Sequence, residues 1–181
     1  RMKRNVIVFF SFLLMSVLNA QSDTLDFPAD WVGEWKGALH IYTGAGLQQT
    51  VDMELHILPI DTSTAYTWTI IYGEDKVAGQ RPYQLKTVDA QKGHYRVDEQ
   101  NSILLDAYLL GGKLFERFSV MGNLLLATTE VRDETMYYEI VSGTETSIQT
   151  TGDTVVKGDT IPPVAAFSLK VRQCATLKRI P

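Results

Sequence analysis

Short strand-like segments separated by turn residues fill this chain from Pro28 almost to its end. Runs of alternating or apolar residues are interrupted by Gly, Asn, Asp and Pro at intervals of about 8 to 14 residues, which is the spacing of antiparallel strands joined by tight turns. No long helical stretch intervenes. The pattern predicts ten strands, at 34–43, 49–58, 64–73, 80–88, 93–98, 102–110, 113–121, 124–132, 135–142 and 164–177.

The second of these segments shows why the sheet must close. Successive side chains of a strand point to opposite faces, and here an apolar set alternates with a polar one: Val51, Met53, Leu55 and Ile57 against Asp52, Glu54 and His56. One face therefore needs burial, and a long meander also has two open edges. We predict an all-β fold in which an antiparallel meander of about 8–10 strands closes into a barrel, with a short N-terminal helical turn.

Residues 1–20 have the layout of a secretory signal peptide. Basic residues precede an apolar run from Val6 to Leu18, and small Ala20 precedes polar residues. The apolar run is shorter than the roughly 20 residues of a spanning helix, so cleavage is expected rather than a retained membrane span. We predict a secreted or periplasmic product with a leader at 21–30 and a single barrel domain at 31–181.

Charge and cysteine content narrow the function classes. Without residues 1–20, which carry three basic residues and no acid, 14 basic and 21 acidic residues remain, a net charge of −7. Such a balance argues against a nucleic-acid partner, because phosphates favour clustered Lys and Arg. Cys174 is the only cysteine, so no intramolecular disulfide forms and the core must supply the stability. An outer-membrane barrel is the rival architecture, but the polar segment 80–88 fits a lipid-facing strand poorly.

The composition changes between Ser142 and Pro163 to Thr, Ser, Gly and Asp. This stretch is predicted to be a long surface connection before the last strand, either a loop or a small extra hairpin around Val155-Val156. A lid over a barrel mouth or an oxygen-rich cation site is the functional alternative, although the acids lack the regular spacing of a Ca²⁺ loop. The segment is also a candidate surface for a protein partner.

The segment Trp31-Val32-Gly33-Glu34-Trp35-Lys36-Gly37 opens the first strand and carries a Gly-x-Trp motif. It resembles the signature that begins the barrel of lipocalins, fatty-acid-binding proteins and related calycin-like domains. In that group the Trp packs at the closed end of the barrel, often against a basic side chain from the final strand. The resemblance implies a structural role for Trp35, with Arg172 or Lys178 as its partner.

Candidate ligand-binding residues lie in the middle strands. Inward aromatic residues of a barrel line either a packed core or a cavity, and buried Tyr hydroxyls need a polar partner. An acid on an apolar face must be paired or protonated, although alternation leaves open whether Glu116 or Phe115 faces inward. The predicted ligand-binding set is Tyr66, Trp68, Tyr83, Tyr108, Glu116, Phe118 and Tyr138.

The sequence contains no HExxH, CxxC or GxSxG motif and no Gly-rich phosphate loop. Pairing of neighbouring strands could bring His40 and His56 together, but two histidines on a polar face are commonly surface residues. No catalytic residue, metal site or cofactor is therefore predicted.

These observations favour an exported lipocalin-like barrel that binds a small apolar or amphipathic molecule in its lumen without catalysis. One alternative is a protein-interaction module with a solid core that uses 142–163. Another is an isomerase or lyase that uses a lumenal acid such as Glu116 with a Tyr, an activity that the resemblance also implies for a few members.

Overall fold

Ten antiparallel strands close into a barrel in the computed structural model, which describes residues 26–61 and 63–181. The predicted signal peptide and most of the leader lie outside the described residues. Nine barrel strands follow in chain order: β1 Gly33–Thr43, β2 Gly46–Ile57, β3 Tyr66–Tyr72, β4 Gln80–Asp89, β5 His94–Asp98, β6 Leu104–Leu110, β7 Lys113–Val120, β8 Asn123–Arg132 and β9 Thr135–Thr144.

The tenth barrel strand, β14 at Val171–Arg179, pairs with β9 on one side and β1 on the other and so closes the ring. Four three-residue strands precede it: β10 Gln149–Thr151, β11 Thr154–Val156, β12 Asp159–Ile161 and β13 Val164–Ala166. The predicted closed meander is confirmed. The predicted last strand, 164–177, is divided between β13 and β14 because the chain leaves the barrel wall before Val171.

A short 3-10 turn at Ala29–Trp31, the predicted N-terminal helical turn, leads into β1. The turn carries Trp31 into the core, where the edge of its ring meets Phe27 with ring centroids 4.6 Å apart. Phe27 makes a similar contact with Tyr95 of β5 at 4.7 Å. These three rings cover the barrel end at which β1 begins. No helix in the part of the chain that the structure describes is long and apolar enough to span a bilayer.

Trp35 lies beside this aromatic cover and is fully buried, with its indole N–H donating to the Trp31 carbonyl at 3.0 Å. The guanidinium of Arg179, at the end of β14, lies 4.3 Å from the Trp35 ring centroid and donates to the Val32 carbonyl. Gly33 has a φ of 147°, and a Cβ there would lie 2.5 Å from the Arg179 guanidinium. A side chain at Gly33 would therefore strain the backbone and would displace the Arg179 guanidinium from its place over Trp35.

The partner of Trp35 corrects the expectation from the resemblance, which named Arg172 or Lys178. Arg172 lies on the outer face of β14, where its Nε donates to Glu139 at 2.6 Å, and the Lys178 ammonium contacts the Thr135 hydroxyl. Alternation explains the difference. The even-numbered residues of β14 point outward, whereas Ala175 and Leu177 face the core and Arg179 follows them on the same side.

We expect Arg179→Ala to lower the free energy of unfolding by about 1–2 kcal/mol. A cation over an indole contributes about 0.5–2 kcal/mol, and the bonds to the backbone carbonyls are lost as well. Urea denaturation measures the change. Lys178→Ala, one residue away on the outer face, is the matched control and should lose less than about 1 kcal/mol. If both variants lose the same free energy of unfolding, the contact between Arg179 and Trp35 does not stabilise the barrel.

The segment predicted as a surface connection forms a narrow β-ribbon. β10 pairs with β13, and β11 pairs with β12, so the chain from 149 to 166 runs out from the barrel and returns. Val155 and Val156 lie in the outer hairpin, which is the hairpin that the sequence offered as one alternative. Several apolar side chains of this region are exposed: Ile148, Val155, Val156, Val164, Phe167 and Leu169.

Candidate functional site

A cavity of about 150 Å³ lies inside the barrel on the side formed by β3 to β9. Seven strands or their ends contribute to its wall, which is mainly aromatic and aliphatic with two carboxyl groups. Its lining residues are Trp68, Ile70, Tyr72, Tyr83, Val97, Glu99, Leu105, Glu116, Phe118, Ala127, Tyr138 and Ile140. The interior position and the mixed lining make this the candidate ligand site.

Strand alternation places these side chains inside. Trp68, Ile70 and Tyr72 occupy alternate positions of β3, and Glu116 and Phe118 do so on β7. The opposite side of the barrel, formed by β1, β2 and β14, is filled instead by bulky buried residues: Trp35, Leu39, Met53, Leu55 and Leu177. Space therefore remains only beside the middle strands.

Glu116 is the most unusual group of the cavity, because its side chain is half-buried on the inner face of β7 among mostly apolar side chains. Burial, together with the negative charge of Glu99, raises its pKa from 4.5 to about 7. Among residues 26–61 and 63–181, no side chain forms a hydrogen bond or an ion pair with this carboxyl. A buried acid without a counter-charge can change its protonation state near neutral pH, and it can accept a partner supplied by a ligand.

Three tyrosines surround this acid with hydroxyl groups. The hydroxyls of Tyr72 and Tyr138 interact with each other, and burial raises the pKa of both. Burial also raises the pKa of Tyr83, with a further contribution from Glu99. All three hydroxyls stay neutral at physiological pH. Tyr83 can both donate and accept a hydrogen bond toward a bound molecule, whereas one O–H of the Tyr72–Tyr138 pair is already donated within the pair.

Five of the seven predicted ligand-binding residues line the cavity: Trp68, Tyr83, Glu116, Phe118 and Tyr138. Tyr66 packs against the core near the cavity but does not line it. Tyr108 corrects the prediction, since it is 44% exposed on the outer wall and stacks on His94 with ring centroids 4.9 Å apart. The inward position of β6 next to it belongs to Ala107, which pairs with Glu116.

Sequence reasoning missed two polar lining residues, Tyr72 and Glu99. Tyr72 shares its strand face with Tyr66 and Trp68, so the alternation of β3 already carried the signal. Glu99 directly follows β5, and its carboxyl accepts a hydrogen bond from the Asn101 side chain at 3.1 Å. The direction of a side chain after the last paired residue depends on the turn, and alternation alone does not determine it.

The histidines do not form the pair that strand pairing could have allowed. His40 contacts the Thr50 hydroxyl at 3.1 Å, whereas His56 contacts Glu54 at 3.0 Å, farther along β2. Lys36 and Lys76 also reach Glu54, at 3.3 and 3.0 Å. The described residues contain no group of three or more His, Cys, Asp or Glu side chains that could hold a metal ion.

A wider depression of about 240 Å³ lies on the outside of the barrel between Tyr42 and Arg172. It is shallow and open to solvent, and its only charged side chains are Lys170 and Arg172. Arg172 already pairs with Glu139. The smaller interior cavity is better enclosed and holds the group with the strongly altered pKa, so it is the better candidate site.

Comparison with known proteins supports the barrel architecture alone. The structure resembles a protein of unknown function from the DUF3598 family of Nostoc punctiforme, with a TM-score of 0.57 and 14% sequence identity. The match covers 84% of this chain and 48% of that protein, so this chain spans about half the length of its neighbour. No protein-family model and no curated protein matches the sequence. At this level of identity the likeness shows a common fold and leaves function to the site itself.

Proposed function

We propose that this protein is an exported, lipocalin-like barrel that binds a small amphipathic molecule inside the barrel without catalysis. The observation that supports the proposal is the interior cavity, in which apolar side chains surround a few polar groups around Glu116. Export is part of the proposal and rests on the sequence of residues 1–20. The calycin-like assignment rests on the Gly-x-Trp motif together with the packing of Trp35 against Arg179.

The volume of the cavity limits the ligand. Sites for drug-sized molecules measure about 300–1,000 Å³, whereas a cavity of about 150 Å³ holds a molecule the size of benzene. The 150 Å³ available here therefore suits roughly ten non-hydrogen atoms or fewer. Fatty acids, retinoids and haem, which larger barrels can enclose, are too big for this space without displacement of the lining.

A fluorescence titration tests the proposal. Trp68 is the only one of the three tryptophans that lines the cavity, so a small neutral aromatic such as benzyl alcohol should change the emission of Trp68 in a saturable way. Trp68→Phe should abolish this signal, and Tyr108→Ala, on the outer wall, should keep it. If calorimetry detects no binding from a panel of such compounds, the cavity does not serve as a ligand site.

A second function, docking of a protein partner, is favoured by the exposed apolar side chains of the ribbon. Val155 is 65% exposed and Val164 is 57% exposed, although both are apolar. Replacing 149–166 by a short polar turn separates the two functions. The shortened chain should keep ligand binding in the cavity, because no residue of the ribbon lines it.

A further inference from the structure

We infer that the cavity selects small organic cations, namely amines whose ammonium group lies against the Glu116 carboxylate and the surrounding aromatic rings. The inference rests on the proposed function and specifies its ligand class. It follows from three features of the cavity: the charge of its lining, its aromatic walls and its small size.

The charged side chains of the lining are both acidic. Glu116 lies on the inner face of β7, Glu99 directly follows β5, and no Lys, Arg or His belongs to the wall. An anionic ligand would meet two carboxyl groups and no counter-charge. A cation supplies the partner that Glu116 lacks among the described residues. The ammonium group of the ligand and the carboxylate of Glu116 then compensate each other's charge.

The aromatic rings around Glu116 add a second attraction for a cation. Trp68, Tyr72, Tyr83, Phe118 and Tyr138 line the same space. An ammonium group over such a ring face is attracted by the negative charge density of the ring, most strongly where water is excluded. Each cation–π pair found in the described residues involves a ring outside the cavity. The rings of the cavity are thus available to a ligand.

Proton competition at Glu116 gives the inference a pH signature. A cation requires the ionised carboxylate, whereas the free carboxyl binds a proton with a pKa of about 7. The affinity for an amine should therefore fall about tenfold for each pH unit below 7. The other titratable groups that act on Glu116 are Glu99 and the three tyrosines, and the Arg81 charge acts on Tyr72 and Tyr83. Burial raises the pKa of the three tyrosines, so they stay neutral between pH 5 and 8.

The experiment compares three probes of similar shape and different charge: benzylamine, benzyl alcohol and benzoate. Isothermal titration calorimetry measures each dissociation constant with the whole protein at pH 5 and pH 8. We expect benzylamine to bind at least about tenfold more tightly than benzyl alcohol at pH 8, and to lose roughly 100-fold in affinity at pH 5. Benzyl alcohol should change little with pH, and benzoate should bind most weakly.

Glu116→Gln keeps the shape of the side chain and removes its charge. This variant should bind benzylamine no more tightly than benzyl alcohol, without the pH dependence. Glu134→Gln, at an exposed turn between β8 and β9, is the matched control and should behave like the parent. The inference fails if benzyl alcohol binds as well as benzylamine at pH 8, or if benzoate binds best, while the proposed binding function stands in both cases. If none of the three probes binds, both proposals fail.

Discussion

Trp35→Ala should lower the free energy of unfolding by about 3–5 kcal/mol, which is the range for removal of a fully buried aromatic side chain. The Trp35 ring is inaccessible to solvent and carries the Arg179 guanidinium on its face. Its removal leaves a large void at the covered end of the barrel and an unpaired Trp31 carbonyl. Since domains of this size have about 5–15 kcal/mol of stability, urea denaturation should show a large shift of the midpoint.

Two control variants test whether the loss of stability comes from the buried position of Trp35 or from the removal of any aromatic ring. Tyr108→Ala removes an aromatic side chain from the outer wall and should lose less than about 1.5 kcal/mol, because Tyr108 is half exposed and stacks only on His94. Trp35→Phe retains much of the buried surface and should fall between the two. A Trp35→Ala loss no larger than that of Tyr108→Ala would show that the covered end of the barrel does not depend on this residue.

The architecture was predictable because it depends on the two-residue alternation of apolar and polar side chains within each strand. Ten segments of alternating residues separated by Gly, Asn and Asp turns allow few arrangements other than a closed meander, and each segment corresponds to a barrel strand of the structure. The β1 strand also begins at the Gly-x-Trp motif, as the resemblance implied. The observed strand ends differ from the predicted ones by a few residues. A strand ends where its pairing partner ends, and the sequence of one strand does not specify that point.

Errors arose where both faces of a strand carry apolar residues. In β6 the run Leu104-Leu105-Asp106-Ala107-Tyr108 offers a large apolar side chain on either face, so its alternation did not reveal which face is inside. The pairing of small Ala107 with Glu116 places Tyr108 outside. The partner of Trp35 has a different source of error: the resemblance named Arg172 or Lys178, but both occupy outward positions of β14, and Arg179 lies on the inner side.

The cavity itself could be predicted only in part. Alternation along β7 left open whether Glu116 or Phe115 faces the lumen, and the structure places Glu116 inside, on the face of Leu114 and Phe118. The size of the cavity depends on how far Trp35, Met53 and their neighbours fill the opposite side of the barrel. Such packing is set by the whole set of inward side chains, and no single segment of sequence encodes it.

Glu116→Gln should stabilise the protein at high pH and have little effect at low pH. The folded state raises the pKa of Glu116 from 4.5 to about 7, so the folded protein holds a proton that the unfolded chain releases. The parent protein therefore loses stability as the pH rises from 4.5 to 7, by about 3 kcal/mol for a shift of this size. The variant carries no ionisable group at this position and should not show that loss.

Urea denaturation of both proteins at pH 4 and pH 8 isolates this effect, because any pH dependence common to parent and variant cancels in their difference. The stability difference between Glu116→Gln and the parent should grow by about 3 kcal/mol from pH 4 to pH 8. Glu99→Gln provides an independent check. Removing the Glu99 charge should lower the pKa of Glu116, so this variant should lose less stability than the parent protein as the pH rises from 4 to 8. A pH-independent difference would mean that Glu116 is ionised in the folded protein without a cost. The carboxylate would then already have a counter-charge, and the reason for assigning a cationic ligand to the cavity would disappear.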